Sequence, residues 1–274
     1  MKKISRILIT GGDGVVGSYM RIGVRLLRSD FDITNLSEVE KVILREKPSV
    51  IIHLAALTDI KKCEDSPDLA YRVNAIGTYN VALIAKEVGA KVIYISTNAV
   101  FDGKKKGAYL STDKPKPINI YGHSKYIGEL AVLGMSQKNL VVRTSWIFGG
   151  GKNRDKKFVG KIITKLLVGK KLSAVNDVYG TPTYGRDLAI SLSKLATSGV
   201  SGIIHVTNSG RASRYDMTLV IKTALKSKSL ISPVSLSNFG KTANTLKNER
   251  LDSDEYVMRS WQKALREYIE TEWK

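Results

Sequence analysis

Cysteine, histidine and long apolar runs are all scarce in this 274-residue chain. The single cysteine, Cys63, has no second thiol for an internal disulfide and is one ligand where a zinc site needs several. No run of about 18 uncharged apolar residues is present to span a bilayer. The N-terminus leads into a glycine loop and shows no cleavage site for export. These absences predict a soluble cytoplasmic protein with no bound metal.

Acidic residues are also few relative to basic ones. The chain has 25 Asp plus Glu against 44 Lys plus Arg, which gives a formal charge of +19. Such an excess suggests nucleic-acid binding, but the basic residues are dispersed, and the longest run is Lys104 to Lys106. We therefore expect no nucleic-acid partner. The excess is interpreted as a basic rim that attracts small polyanions, or as a solvated lysine-rich surface.

Short apolar runs alternate with helical patterns through the first part of the chain. Predicted strands lie at 4–10, 49–56, 91–97 and 139–148, and predicted helices at 15–27, 36–45, 68–88 and 121–134. Strands separated by helices indicate an α/β fold with a Rossmann-type, doubly wound parallel sheet. The stretch before Asp32 is short, so the second strand of such a sheet is expected to be abbreviated.

The pattern changes after Phe148, where a loop rich in glycine and lysine begins. Beyond it we predict a helix at 158–168, a strand at 201–208, and a terminal helix at 255–269 capped by Asp252 or Ser253. A domain boundary is therefore placed near residue 150. Residues 1–150 form the Rossmann domain, and residues 151–274 form a smaller α/β part with some segments returning to the first domain.

Three glycines stand between the first predicted strand and helix. Gly11, Gly14 and Gly17 form G-x-x-G-x-x-G, which permits a tight turn and close approach of the backbone to a pyrophosphate at a helix N-terminus. The same turn occurs without a ligand in other proteins. Its position at the start of the alternating pattern favours a dinucleotide site.

A tyrosine and a lysine are spaced for proton transfer. Tyr121 and Lys125 stand four apart at a helix start, and therefore on one face. An ammonium beside a phenol favours the phenolate and lowers a pKa that is ordinarily about 10. Such a pair arises by chance in many helices, but Ser96 and Thr97 end the predicted strand 91–97, where parallel sheets bind ligands.

The set of Thr97, Tyr121 and Lys125 after a glycine loop resembles the extended branch of the short-chain dehydrogenase/reductase superfamily. More closely, the chain resembles the dTDP-4-dehydrorhamnose reductase family nearly from end to end. The stretches that carry the likeness are HLAALTDIKKCE (53–64), YISTNAVFDG (94–103), PINIYGHSK (117–125), VVRTSWIFGGGKN (141–153), NDVYGTPTYGRDLA (176–189) and ERLDSDEY (249–256).

This resemblance implies that NADPH delivers a hydride to the 4-keto carbon of a nucleotide-linked 6-deoxysugar, giving dTDP-L-rhamnose. Tyr121 would protonate the oxygen, Lys125 would lower the tyrosine pKa and hold the nicotinamide ribose, and Thr97 would hydrogen-bond the carbonyl. Residues 1–150 would bind the cofactor, and residues 151–274 mainly the substrate. The implied cofactor-binding residues are Gly11, Gly14, Val15, Val16, Gly17, Asp32, Ile33, Leu54, Ala55, Ala56 and Ser96, with Tyr121 and Lys125. The implied substrate-binding residues are Thr58, Thr97, Asn98 and Trp146.

The sequence departs from the family pattern at several positions. Asn98-Ala99 stands where Asp-Tyr is usual, and Thr245-Leu246 stands where an Arg-Pro pair is expected, with Lys241 among the residues that could compensate. Tyr19 replaces the acidic metal ligand of some members, so a metal-bridged dimer is not expected, and the protein is predicted to be a monomer or homodimer. Asp30 or Asp32 could bind a ribose hydroxyl, whereas Arg25 and Arg28 could meet a 2′-phosphate. The arginines favour NADPH, although NADH stays possible.

Other functions stay open at this point. A 4-epimerase would use the same tyrosine and lysine with a retained oxidised cofactor, whereas a 4,6-dehydratase needs carboxylates that Asn98-Ala99 does not supply. A non-catalytic alternative is a regulatory protein resembling the methionine adenosyltransferase regulatory subunit. His53 and His205 lie in predicted strands and are interpreted as structural, and Cys63 has no histidine base nearby in the sequence.

Overall fold

A computed structural model describes residues 6–239, 246–253 and 256–274. Lys241, Thr245 and the expected start of the last helix at Glu255 lie outside these residues. Contacts divide the chain into two units. The first unit holds Met1–Asp102, Ser111–Arg143 and Ala189–Ile204, and the second holds Gly103–Leu110, Thr144–Leu188 and His205–Lys274. The assignment of cofactor and substrate binding to 1–150 and 151–274 stays a prediction.

The elements follow one another along the chain as alternating strands and helices. The strands are β1 (Ile7–Thr10), β2 (Val24–Leu26), β3 (Val50–His53), β4 (Lys91–Thr97), β5 (Leu140–Thr144), β6 (Ile147–Phe148), β7 (Leu172–Val175), β8 (Tyr179–Gly180), β9 (Thr183–Tyr184), β10 (Gly202–His205), β11 (Thr207–Ser209), β12 (Ala212–Ser213), β13 (Ile231–Val234), β14 (Asn248–Glu249) and β15 (Val257–Ser260). The helices are α1 (Val15–Tyr19), α2 (Leu36–Glu46), α3 (Ile60–Asp65), α4 (Pro67–Tyr71), α5 (Gly77–Glu87), α6 (Ile120–Met135), α7 (Gly151–Arg154), α8 (Phe158–Leu167), α9 (Gly185–Ala196), α10 (Arg214–Ala224) and α11 (Trp261–Glu272).

A six-stranded sheet forms the centre of the first unit, in the order β10-β5-β4-β3-β1-β2. The β1–β2, β1–β3 and β3–β4 pairs are parallel. The predicted α/β class with a central parallel sheet is confirmed. Because the strand order reverses between β1 and β3, ligands are expected outside the carboxyl ends of these two strands. This edge is where the glycine loop after Thr10 and the residues after His53 lie.

The first predicted helix, 15–27, is wrong in its second half. The helix ends at Tyr19, and Val24–Leu26 forms β2 beside β1. Gly23 has a φ of +72°, and its Cα faces the Ile7 backbone so closely that a side chain would overlap it. Apolar spacing within 15–27 suits a helix, but pairing with β1 supplies hydrogen bonds that only the tertiary fold provides. The second strand is thus three residues long and lies before the position expected from the sequence.

The predicted helix at 68–88 is interrupted. Residues Arg72–Ile76 form a π-helical turn between α4 and α5. Asn74 lies in this turn and is fully buried. Such turns widen a helix by one residue and are frequent at functional sites.

Helix α6 carries Tyr121 and Lys125 and begins at Ile120, close to the predicted start at 121. The Asn119 side chain caps it by accepting a hydrogen bond from the backbone N–H of Gly122, at 2.7 Å. A Cβ at Gly122 would overlap the carbonyl oxygen of Ala99, so glycine allows the helix start to lie against the end of β4. The cap and this close approach fix Tyr121 beside Thr97.

The second unit contains short strands and four further helices among its described residues. In it β12-β8-β14 form one small sheet, and β13 pairs with β7, β6 with β9 and β11 with β15. The predicted strand 139–148 is broken at Trp146, whose φ is +45°. Helix 158–168 is confirmed as α8, and helix α10 begins with a capping box formed by Ser213 and Asp216.

The predicted terminal helix, 255–269, is wrong at its start. Residues Val257–Ser260 form β15, which pairs with β11, and α11 begins at Trp261. Ser260 is the cap, and its hydroxyl accepts a hydrogen bond from the backbone N–H of Lys263. Neither Asp252 nor Ser253 therefore caps this helix. None of the helices in the described ranges has the length and apolar character that crossing a bilayer requires.

Candidate active site

The glycine loop lies at the carboxyl end of β1 and is shaped by close backbone contacts. Gly11 has a φ of +67°, and a Cβ there would stand 2.7 Å from the backbone nitrogen of Ala55. A Cβ at Gly17 would overlap the Gly11 carbonyl. Gly14 precedes α1, and no side chain caps the helix N-terminus that Val15 and Val16 begin. A backbone cradle that side chains would fill, next to uncapped amides, fits a pyrophosphate group.

The residues after β3 are held against this loop. Thr10 accepts a hydrogen bond from the backbone N–H of Ala55, at 3.2 Å, and the carbonyl of Thr10 accepts one from Leu54. Ala55 and Ala56 are half-buried and have small side chains. The structure thus brings Leu54 to Ala56 and the glycine loop to one edge of the sheet, as the sequence predicts for a cofactor site.

Asp32 and Ile33 follow β2 at the same end of the sheet. Asp32 is exposed, and one of its carboxylate oxygens accepts a hydrogen bond from the backbone N–H of Thr34, at 2.8 Å. Ile33 is buried, and its carbonyl accepts a hydrogen bond from the Asn80 amide. Asp32 thus stabilises its own turn, and a ribose-binding role stays a prediction.

Thr97 and Tyr121 meet at the end of β4. Thr97 is buried; its hydroxyl accepts a hydrogen bond from the backbone N–H of Ala99, donates one to Asn98, and is hydrogen-bonded to the Tyr121 phenol. Desolvation of the phenol raises the pKa of Tyr121 to about 12, and the hydrogen bond with Thr97 acts in the opposite direction. The spacing alone predicts a lowered pKa, but in the structure the loss of water around the phenol is the larger effect.

Lys125 lies one turn further along α6, in a site that disfavours its charge. Its side chain is buried, and its Nζ stands 4.1 Å from the centre of the Tyr94 ring. Burial lowers the pKa of Lys125 to about 7, and the Glu129 carboxylate opposes this shift. A lysine with this pKa both accepts and donates protons near neutrality, which suits a proton-transfer site.

Ser96 is hydrogen-bonded to one member of a buried ion pair, and the sequence did not predict either charged residue as part of the site. Its hydroxyl donates a hydrogen bond to Glu129, which also accepts two bonds from the Arg143 guanidinium, at 2.9 and 2.7 Å. Both charged side chains are only 1% exposed. The one signal in the sequence is that Glu129 stands four residues after Lys125, on the same helix face. The pair anchors α6 to β4 and β5 behind the candidate catalytic residues.

Asn74 was likewise not predicted. Its amide binds both the N–H and the carbonyl of Leu57, at 2.8 and 3.0 Å, and donates to the Ser124 hydroxyl, at 3.0 Å. The buried amide therefore ties the loop that carries Thr58 to the residue before Lys125. Thr58 itself is exposed. No sequence motif marks this role, because it depends on contacts 17 and 50 residues apart.

Trp146, the remaining predicted substrate residue, belongs to the second unit. Its ring is half-buried and lies close to Gly180, where a Cβ would overlap the indole. The Arg214 guanidinium stacks on the same ring, with its carbon 3.6 Å from the ring centre. The tryptophan is therefore held in a defined orientation within its unit.

The residues interpreted as structural lie in ordinary packed environments. His53 is buried with its two ring nitrogens beside the hydroxyls of Thr10 and Thr78, at 2.7 and 3.2 Å, and burial lowers its pKa to about 3. It is therefore neutral at physiological pH. Burial raises the pKa of the Cys63 thiol to about 11, which disfavours a thiolate nucleophile. Within the described ranges, no group of three or more His, Cys, Asp or Glu is placed to hold a metal ion.

Replacing Lys125 with methionine is expected to stabilise the protein, by an amount that depends on pH. Burial holds the folded-state pKa near 7, below the 10.5 of a solvated lysine, so between these pH values the unfolded state binds more protons and stability rises with pH. Methionine removes the group whose charged form burial penalises, so the mutant is freed of that pH-dependent cost. Urea unfolding from pH 6 to 10 should show a gain that is largest below pH 7 and shrinks toward pH 10. A gain that is independent of pH would contradict this account.

The sheet order, the glycine loop and the Thr97, Tyr121 and Lys125 set together define a Rossmann-type enzyme of the short-chain dehydrogenase/reductase class. The RmlD substrate binding domain family matches residues 5–273. The dTDP-4-dehydrorhamnose reductase of Mycobacterium tuberculosis is 34% identical over 95% of this chain and 91% of that protein. The Bacillus subtilis spore coat polysaccharide biosynthesis protein SpsK is 31% identical over 97% of this chain and 98% of its own length.

Solved structures agree with these sequence relationships. A dTDP-4-dehydrorhamnose reductase from Bacillus anthracis, in complex with NADP, superposes with a TM-score of 0.91 at 36% identity, over 97% of this chain and 99% of that one. The chain therefore belongs to the dTDP-4-dehydrorhamnose reductase family. The resemblance stated from the sequence is confirmed.

Proposed function

We propose that this protein reduces the 4-keto group of a nucleotide-linked 6-deoxysugar with NADPH, as a dTDP-4-dehydrorhamnose reductase giving dTDP-L-rhamnose. The observation that carries the proposal is the hydrogen-bonded pair of Thr97 and Tyr121 at the end of β4, with Lys125 one helical turn away. The relatives bearing this name at 34% identity support the same reaction.

NADPH, when bound, supplies the hydride. The residues of this chain supply the proton and the charge stabilisation. Because the pKa of Tyr121 is about 12, its phenol stays protonated at neutral pH and is available as the acid. An alkoxide is more basic than a phenolate, so proton transfer from Tyr121 to the developing O4 alkoxide is favourable. When substrate is bound, the Thr97 hydroxyl would turn its one hydrogen from Asn98 to the same oxygen and stabilise the charge as it forms.

Lys125 completes the proton path. A positive charge on its ammonium stabilises the phenolate that Tyr121 leaves behind, and its pKa of about 7 lets it lose and regain a proton near neutral pH. Because the Lys125 side chain is buried over the Tyr94 ring, little water reaches Tyr121 and Lys125. We propose that the same side chain holds the nicotinamide ribose.

The glycine cradle and the exposed arginines support NADPH as the cofactor. Gly11, Gly14 and Gly17 would hold the pyrophosphate. Arg25 lies next to Gly12 of this loop, and neither Arg25 nor Arg28 forms an ion pair with any described residue. Both are exposed, as groups that bind a 2′-phosphate require. We place the reaction in the cytoplasm, where a free buried thiol such as Cys63 persists, and expect a monomer or homodimer.

The direct test is to follow reduced-nicotinamide absorbance after adding dTDP-4-keto-6-deoxy-L-mannose to the protein with NADPH or NADH. Substrate-dependent oxidation, faster with NADPH, is expected. Tight cofactor binding without turnover would refute the reductase proposal and favour a regulatory protein. Purification with a tightly retained oxidised cofactor would instead indicate an epimerase.

A further inference from the structure

Arg214 lies in surroundings that are unusual for an arginine. It is the first residue of α10 and is half-buried. Its guanidinium carbon stands 3.6 Å from the centre of the Trp146 ring and 4.6 Å from the centre of the Phe158 ring. Stacking on aromatic rings uses the flat faces of a guanidinium and leaves its N–H donors, which lie in the plane, free for other partners.

Those donors have no partner among the residues that the structure describes. Arg214 forms no ion pair and no side-chain hydrogen bond there, although Glu249 is near enough to act on its charge. Burial lowers the pKa of Arg214 to about 10, so the group is still positive at neutral pH. Arg143, by comparison, is matched by Glu129 through two bonds. A half-buried guanidinium with no bonded counter-ion keeps its donors available to an anion.

The site around this charge is built rigidly. Trp146 adopts a φ of +45°, a left-handed conformation that is costly for a residue with a large side chain. Its ring lies against Gly180, where no other residue fits. The indole nitrogen is buried and has no hydrogen-bond partner within the described ranges. The strained backbone of Trp146, its contact with Gly180 and the stacking of Arg214 together hold the indole ring and the guanidinium in fixed positions.

We infer that Arg214 binds the diphosphate of the nucleotide-sugar substrate. This inference rests on the proposed function and on the predicted contact between Trp146 and the substrate. In a nucleoside diphosphate sugar the phosphates are joined directly to the sugar ring, so a cation stacked on the tryptophan lies next to them. The planar fork of a guanidinium matches two phosphate oxygens at once. Arg214 lies outside the sequence stretches that carry the family resemblance, and that resemblance implies no role for it.

The test is equilibrium binding of dTDP and UDP, with thymidine as the ligand that lacks phosphate. Saturating NADP+ is present throughout, so that neither diphosphate enters the cofactor site. Calorimetry measures the diphosphates, and ligand-observed NMR measures the weaker thymidine. The variants are Arg214→Gln, which removes the charge, and Arg214→Lys, which keeps the charge but loses the planar fork.

Arg211→Gln is the matched control. Arg211 also stacks on an aromatic ring, that of Tyr179 at 5.1 Å, but it is exposed and lies three residues before Arg214. Arg214→Gln should weaken dTDP and UDP binding about 10- to 100-fold, the usual effect of losing charged hydrogen bonds, and leave thymidine binding unchanged. Arg214→Lys should fall between, and Arg211→Gln should match the parent.

Several outcomes would overturn the inference. These are unchanged dTDP affinity in Arg214→Gln, an equal loss for thymidine, an equal loss in Arg211→Gln, or no dTDP binding by the parent protein. NADP+ affinity and the circular dichroism spectrum report whether each variant folds. If Arg214→Gln does not fold, the dTDP affinity of Arg214→Lys tests the inference in its place. Because binding needs no turnover, a diphosphate site without reductase activity would refute the proposed function and keep this inference.

Discussion

Tyr121→Phe is expected to lower kcat for the 4-keto sugar about 10²- to 10⁴-fold, the range for loss of a general acid. The change removes one oxygen atom from a residue whose hydroxyl is hydrogen-bonded to Thr97 and leaves the helix contacts of the ring in place. NADPH affinity should therefore change little. Steady-state rates give kcat, and fluorescence titration of NADPH gives the affinity.

Tyr126→Phe is the matched control, because Tyr126 lies on the same helix and undergoes the same chemical change. Its kcat should stay within about twofold of the parent value, since no role in the reaction is assigned to it. Equal turnover in Tyr121→Phe and the parent protein would show that Tyr121 is not the proton donor. A parallel loss in both variants would point to a general effect on the helix.

Arg143→Met should destabilise the protein by about 3–5 kcal/mol, the cost of leaving one partner of a buried ion pair uncompensated. Arg143 and Glu129 are each 1% exposed, so water cannot replace the two lost bonds. The stability of most proteins is about 5–15 kcal/mol, so the effect is a large share of the whole. Urea unfolding followed by circular dichroism measures it.

Two further variants separate the buried charge from the loss of packing. Arg143→Met with Glu129→Leu removes both charges and should recover part of the lost stability. Arg259→Met removes the ion-pair partner of Asp187 and Glu267. Because the Arg259 side chain is 34% exposed, this change should cost about 1 kcal/mol or less of stability. The account fails if Arg143→Met costs no more than Arg259→Met.

Most of the candidate site follows from local patterns in the sequence. The glycine loop, the hydroxyls that end β4 and the Tyr121–Lys125 spacing each depend on residues within a few positions, and the structure brings them to one edge of the sheet. The predicted helix boundaries that proved wrong are those where pairing with a distant strand competes with a local helix pattern. Val24–Leu26 pairs with β1, and Val257–Ser260 pairs with β11.

The amino-acid sequence by itself therefore determined the family, the parallel α/β fold and the residues proposed for proton transfer. Their chemistry was decided by the tertiary structure. Burial raises the pKa of Tyr121 and lowers that of Lys125, and neither shift can be derived from spacing. Glu129 meets Arg143, and Arg214 meets Trp146, across 14 and 68 residues of chain. Solvent exclusion and long-range pairing exist only after the chain has folded, which is why local patterns carry no record of them.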